Sequence, residues 1–250
     1  MSLPPLQALL DGRIRSGAAL VAWRDGQPVC WEQLRGAVGG LAARLRGARV
    51  ALREEDGYAF CVGLLAAACA GCPVLLLPPE QPALLADLTS EWDCLLGEGG
   101  EPILTGDFAA VPTGFDLEAA PISFFTSGST AQPKRIERSL GLLGREVNAV
   151  AERLGMGGTG CHRATVPHHH AYGLIFKLLW PLLAGRPFAA CSYPLWETLL
   201  ADLAEGDWLI SGPAHLRRIE GLVAARRPAL LLSAGAPLPA ACLLYTSRRG

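Results

Sequence analysis

"FFTSGSTAQPKRIERS", residues 124–139, sets five hydroxyl side chains, a glycine and a lysine behind two phenylalanines in a chain that is half hydrophobic. A solvated linker could have this composition. The residues on either side favour a second reading. "PISFF" (121–125) has the apolar run of a buried strand, so the hydroxyls follow the carboxyl end of a strand. Ligands of open α/β sheets bind at that edge. The hydroxyls of Thr126, Ser127, Ser129 and Thr130, with exposed backbone N–H groups, can donate to phosphate oxygens. Gly128 lets the backbone approach closely, Lys134 supplies positive charge, and Pro133 stiffens the approach to it. The stretch is not a Walker loop: Ala131 and Gln132 stand where that motif needs its second glycine. Nor is it Gly-x-Ser-x-Gly, so a hydrolase nucleophile at Ser127 or Ser129 has poor support.

Working outward, helix and strand alternate. Trp31, Leu34, Val38, Leu41 and Leu45 recur at helical spacing. "ARVAL" (48–52) reads as a buried strand, Asp56 as the cap of a helix running toward Cys69, and "PVLLLP" as the next strand. Residues 83–91 read as helix and "DCLLG" (93–97) as strand. Beyond the opening stretch, Ser139 can cap a helix carrying Leu140, Leu143, Val147, Val150 and Leu154 on one face. "HRATVP", "RPFAAC", "DWLISG" and "PALLLSAG" read as strands. Between them lie helices over "AYGLIFKLLWPLLAG", "LWETLLADLA" and "PAHLRRIEGLV". The rhythm predicts an α/β fold of layered parallel sheets flanked by helices. Turn formers in "GEGGEP" and "PTGFD" mark a weak junction near 98–120.

The 250 residues carry a formal charge of -1 and no long basic run, which gives no footing for a nucleic-acid partner. The 8 cysteines lie mostly apart in apolar surroundings and read as free thiols of a reducing compartment. Cys69 and Cys72 form a Cys-x-x-Cys, but no second pair stands at metal-ligand spacing, so a small-residue helix ending at Gly71 is the better account. Residues 59–79 run without a charge, long enough for a membrane span. Gly71 and Pro73 divide them into a buried helix and a strand instead. The amino terminus lacks the cationic start and long apolar core of a signal peptide. A cytoplasmic protein with no membrane span is expected.

"FTSGSTAQPKRI" resembles the phosphate-loop signature of the adenylate-forming superfamily, which includes acyl- and aryl-CoA synthetases and peptide adenylation domains. Thr126, Ser127, Gly128, Ser129, Thr130, Pro133 and Lys134 fit the signature. Ala131 and Arg135 depart from it, each replacing a glycine. Two later stretches agree in order: "VPHHHAYGLIFKLLWPLLAG", where His170 and Gly173 match, and "LLSAGAPLP", where Gly235, Ala236 and Pro237 match. With the earlier "CWEQLRGAVGGLAARL" and "GLLAAACAGCPVLLLPP", the resemblance covers about 30 to 240.

The resemblance implies the large N-terminal domain of an ATP-dependent carboxylate ligase, incomplete and occupying residues 1–241. A carboxylic acid becomes an acyl-adenylate and passes to a thiol, either CoA or an acyl carrier protein, with ATP and Mg²⁺ as cofactors. Lys134 and Thr130 would act on the reacting phosphates within the 126–130 loop. Gly235 to Pro237 would flank adenine, and His170 and Gly173 would border the acid. A non-catalytic nucleotide- or acyl-binding domain is the alternative. On an extended backbone His168 and His170 point one way and His169 the other. No acidic or cysteine cluster nearby completes a metal shell, so no protein metal site is expected. His169 is expected to be a hydrogen-bonded structural histidine. The family's Thr-Glu pair, ribose-binding Asp and C-terminal Lys would lie downstream of "GAPLP". The fragment is expected to be inactive alone. Residues 242–250 are expected to be non-native, because "CLLYTS" resembles translated adaptor sequence.

Overall fold

The computed structural model describes residues 3–77, 82–126, 134–154, 158–219 and 226–234. A short helix α1 (Leu6–Leu10) leads to a hairpin of β1 (Leu20–Arg24) and β2 (Gln27–Cys30). Asp25 and Gly26 close it at φ 51° and 73°, the left-handed pair that a two-residue type I′ turn requires. The hairpin is not among the expected elements, because Gln27 and Pro28 interrupt the apolar alternation of a strand. Helix α2 (Trp31–Arg44) follows and buries Trp31, Leu34, Val38 and Leu41, the stripe its spacing predicts.

Next come β3 (Val50–Arg53), α3 (Gly57–Cys69) and β4 (Val74–Leu76). Asp56 Oδ1 accepts from the Ala59 N–H at 2.8 Å, as expected of the cap. Every residue of α3 is buried, which explains its lack of a polar face. At 13 residues it is an interior helix. Gly71 ends it at φ 71° while Cys72 N–H reaches back to the Ala67 carbonyl, closing a Schellman motif. The Cys-x-x-Cys is therefore a helix end, and the Cys72 thiol donates to the Leu45 carbonyl at 2.9 Å. All seven described cysteines are free thiols. Among the described residues no helix is long and apolar enough to cross a membrane.

After α4 (Pro82–Leu88) and β5 (Cys94–Gly97), residues 98–120 run along α2. Ala109 N–H bonds the Gly36 carbonyl, and Arg44 reaches Pro102 O and Thr105 Oγ1. Then come β6 (Pro121–Thr126), β7 (Lys134–Ser139) and α5 (Leu140–Leu154). Ser139 Oγ accepts from the Leu142 N–H at 3.0 Å and caps α5 as anticipated. The remainder is β8 (His162–Ala164), α6 (Ala171–Gly173), α7 (Trp180–Ala184), β9 (Phe188–Ala189), α8 (Trp196–Asp202), β10 (Trp208–Ser211), α9 (Pro213–Leu216) and β11 (Leu230–Ser233).

The strands form two sheets, ordered β5-β3-β4-β6-β7 and β11-β10-β8-β9-β1-β2. Both correct the parallel expectation in the same way. Each is parallel until its last pair, where β7 runs antiparallel to β6 and β2 to β1. The polar half of the opening stretch is thus partly strand. β7 was not expected because its alternation is charged on an exposed edge, with Ile136 its lone large apolar residue. Such an edge suits a sheet that must not recruit further strands.

Between α6 and α7, residues Leu174–Leu179 form a π-helical segment. Trp180 N–H bonds the Ile175 carbonyl, a five-residue step. Pro181 has no N–H to offer the Phe176 carbonyl, and His162 Nδ1 donates to that oxygen at 3.0 Å instead. Burial pushes His162 down to about 3, so it is neutral.

Candidate functional site

Parallel strands place their carboxyl ends on one edge of each sheet. The ends of β3, β4, β8 and β9 surround a cavity of about 640 Å³. Its wall includes Arg53 to Asp56, Leu77, Thr165, the three histidines 168–170, Ala190 to Ser192 and His215. The phosphate-loop stretch leaves the same edge, because β6 pairs in parallel with β4. Thr126 and Lys134 are register partners at the open end of the β6–β7 hairpin, the last pair before the intervening residues. Lys134 is exposed there. Ser127, Gly128, Ser129 and Thr130 lie outside the described residues, as do Gly235, Ala236 and Pro237.

The histidines occupy a turn, not the extended backbone assumed for them. They therefore differ by depth and do not alternate by face. His168 is 2% exposed, His169 half-buried and His170 exposed. The hydrogen-bonded structural histidine is His168. Its Nε2 donates to the Glu54 carbonyl at 2.8 Å, which leaves Nδ1 free to accept. Burial, then the charge of Lys177, push it down to about 3. The His169 and His170 rings meet at a tilt of 55° with centroids 4.2 Å apart, and burial pushes His169 down to about 4. His170 lines the cavity, and its carbonyl accepts from the Leu174 N–H. Gly173 is buried and does not line the cavity. A Cβ there would stand 2.0 Å from the Pro167 carbonyl, so this glycine lets the helix start press against the histidine turn.

Sequence reasoning missed Lys177. Its side chain is fully buried within the π segment. Nζ lies 2.9 Å from Ser192 Oγ, 3.3 Å from the Ala190 carbonyl and 3.3 Å from His168 Nδ1. These acceptors satisfy the three donors of an ammonium. Burial lowers it to about 8. The available signal was a lone charge inside the apolar run "GLIFKLLWPLL". The Ala190 carbonyl also accepts from the Gly57 N–H at 2.8 Å, which joins β9 of one sheet to the start of α3 on the other. Deeper in the edge, Thr165 Oγ1 and Ser211 Oγ are 2.7 Å apart and fix the ends of β8 and β10. Asp56, besides its capping bond, accepts from Arg24 Nε at 2.8 Å.

Among the described residues no group of three or more His, Cys, Asp or Glu side chains could hold a metal ion. The three consecutive histidines do not form one, since His168 is committed to Glu54 and Lys177.

No protein-family model matches the chain. The chain is 35% identical over 147 residues to 4-coumarate–CoA ligase from Rhodobacter capsulatus, covering 56% of this chain and 38% of that protein. It is 28% identical over 244 residues to a CoA ligase from Gibberella moniliformis, covering 77% of this chain and 39% of that protein. The chain thus spans about two-fifths of the length of these curated relatives. ATP-bound MatB from Rhodopseudomonas palustris superposes with a TM-score of 0.77 at 20% identity, over 97% of this chain and 56% of that structure.

Proposed function

We infer, from a chain that has the N-terminal-domain fold of the adenylate-forming acyl- and aryl-CoA synthetases, that it serves ATP-dependent activation of a carboxylic acid. The substrate carboxylate oxygen attacks the α-phosphorus of ATP. The bond to the bridging oxygen breaks, and pyrophosphate leaves. The thiolate of CoA then attacks the acyl carbon, and AMP departs. Such phosphoryl chemistry asks the protein mainly to position groups and stabilise charge.

The observation that carries this reading is the β6–β7 hairpin. It sets Thr126 against Lys134 at the sheet edge that also bounds the cavity. Lys134 and the hydroxyls of 126–130 hold the β- and γ-phosphates. Thr130 and Lys134 act on the reacting phosphates. Gly235 to Pro237 flank adenine, and His170 borders the acid, with Gly173 setting the turn that carries it. Mg²⁺, bound with the nucleotide, would supply charge neutralisation at the phosphates, and the hydroxyls of 126–130 would be the nearest oxygen donors this chain offers. CoA is the favoured acceptor because both curated relatives are CoA ligases; an acyl carrier protein is the other thiol source. The 250-residue chain provides binding surface, and turnover requires the further length the relatives possess.

Pyrophosphate exchange tests the reading, run on the longer protein with fatty, aromatic and amino acids. Acid-dependent exchange that disappears in Lys134→Ala supports it. No exchange with any acid, together with no binding of ATP by the 250-residue chain, overturns it.

A further inference from the structure

Lys177 and its partner His168 together gather segments of both sheets. His168 belongs to the turn after β8, Ala190 and Ser192 follow β9, and Glu54 follows β3 of the other sheet. All four residues line the cavity, yet Lys177 does not. Its ammonium stands one layer behind the wall and ties the wall's pieces together. The hydrogen bonds run in one direction. The Glu54 carbonyl requires the His168 proton on Nε2, and Lys177, donating to Nδ1 from the other side, holds the ring in that same tautomer. A neutral donor at position 177 could not supply three bonds from one atom. The preceding histidine turn is pressed down by Gly173 on the Pro167 carbonyl.

We propose that Lys177 is a positioning residue whose ammonium, opposite the Glu54 carbonyl, locks the His168 ring in one tautomer and orientation and thereby sets the placement of His169 and His170 in the cavity wall. The consequence for substrate rests on the assignment of the cavity to the acid; the consequence for the histidines does not. A buried hydrogen-bonded charge of this kind is costly to desolvate, and specifying one arrangement among several is the role the proposal gives it. Here the specified arrangement is the wall facing the substrate. Asp56 and Cys191 favour the charged form of Lys177, against the burial that opposes it.

The test uses ¹⁵N-histidine NMR on the 250-residue chain as wild type, Lys177→Met, Lys177→Gln and Ser192→Ala. In the wild type, His168 is expected to carry its proton on Nε2 and leave Nδ1 bare. Lys177→Met should shift Nδ1 of His168 and move the His169 and His170 signals with it. Lys177→Gln, which keeps an N–H donor, should move them less, and Ser192→Ala least. A structural lysine without this role would lower the melting temperature and leave the histidine spectrum of the folded state alone. A proton on His168 Nδ1, or unchanged histidine signals in the folded variants, overturns the proposal. If both Lys177 variants fail to fold, Ser192→Ala alone decides, because its side chain is only half-buried. On the longer protein, Lys177→Met should raise KM for the acid about tenfold while kcat changes about twofold or less. An unchanged KM in an enzyme that performs exchange also overturns it. Absence of exchange in the wild type counts against the ligase reading, and the NMR arm still judges Lys177.

Discussion

Only two of the chain's 22 lysines and arginines are lysine, at 134 and 177, and they stand at opposite extremes. Lys134 is exposed at the mouth of a hairpin whose far residues carry hydroxyls. Lys177 is fully buried, with all three donors directed at named acceptors. The first stands where the proposed function needs a charge for the phosphates. The second has its charge consumed by the protein. The contrast teaches that a lysine can be spent on the fold or left at a sheet edge, and that burial with named acceptors marks the first kind.

The comparison breaks most visibly on truncation. Lys177→Ala should destabilise the chain by about 3 kcal/mol, since it leaves a cavity and strips the acceptors of His168 and Ser192 of their donor. Urea unfolding measures this, and a loss under about 1 kcal/mol would contradict the contact set. Lys134→Ala, at an exposed position, should change urea unfolding by less than about 1 kcal/mol. In the longer protein it should slow acid-dependent pyrophosphate exchange about fiftyfold, the loss of one charged phosphate contact. Unaltered exchange would remove Lys134 from the phosphate site.

Swapping cations sharpens the contrast. At 177, arginine is too long and planar for a tetrahedral set of acceptors in a packed interior, and Lys177→Arg should cost about 2 kcal/mol in the same assay. The pH dependence is smaller per unit and has a definite sign. Lys177 lies near 8 when folded against an ordinary 10.5, so between these values the unfolded chain holds the proton and the folded chain does not. Stability attributable to Lys177 therefore rises with pH across that window, by about 1.4 kcal/mol per unit at most. Cys61, Cys69 and Cys161, pushed up to about 12 by burial, act in the opposite sense. The measurement is thus the difference between wild type and Lys177→Met, in which the thiols cancel. A difference that stays flat from pH 8 to 10.5 would refute the burial of charge. The smallest effect is expected for Lys134→Arg, about threefold or less in exchange, because a solvated hairpin mouth accommodates either cation.

Much of the architecture was legible from local pattern. Trp31, Leu34, Val38 and Leu41 announced α2, and short apolar runs marked β3, β4, β6 and β10. The two hairpin edges were hidden for a shared reason. A strand wetted on both faces loses the alternation that sequence reading depends on, as Gln27 and Pro28 do in β2 and Arg135, Glu137 and Arg138 do in β7. The site divided similarly. Lys134 was visible because a motif surrounds it. Lys177 was not, because helical periodicity reads its position as core, and its partners lie 9, 13 and 15 residues away along the chain. Burial of a cation depends on tertiary acceptors that no local window contains. The depth order of His168, His169 and His170 was likewise set by a turn, which the alternation rule for strands could not anticipate.

The wider helical step before Trp180 has one more consequence. A π turn holds one residue more than the α turn it replaces, so everything after it is rotated by about 100° relative to an uninterrupted helix. Deleting a single residue between 174 and 179 would therefore spare the apolar composition yet turn Trp180 and Leu183 away from the interior they now fill. This length of chain should tolerate changes of side chain far better than changes of count, and it works as a mechanical index that keeps the two ends of the helix in phase with different neighbours.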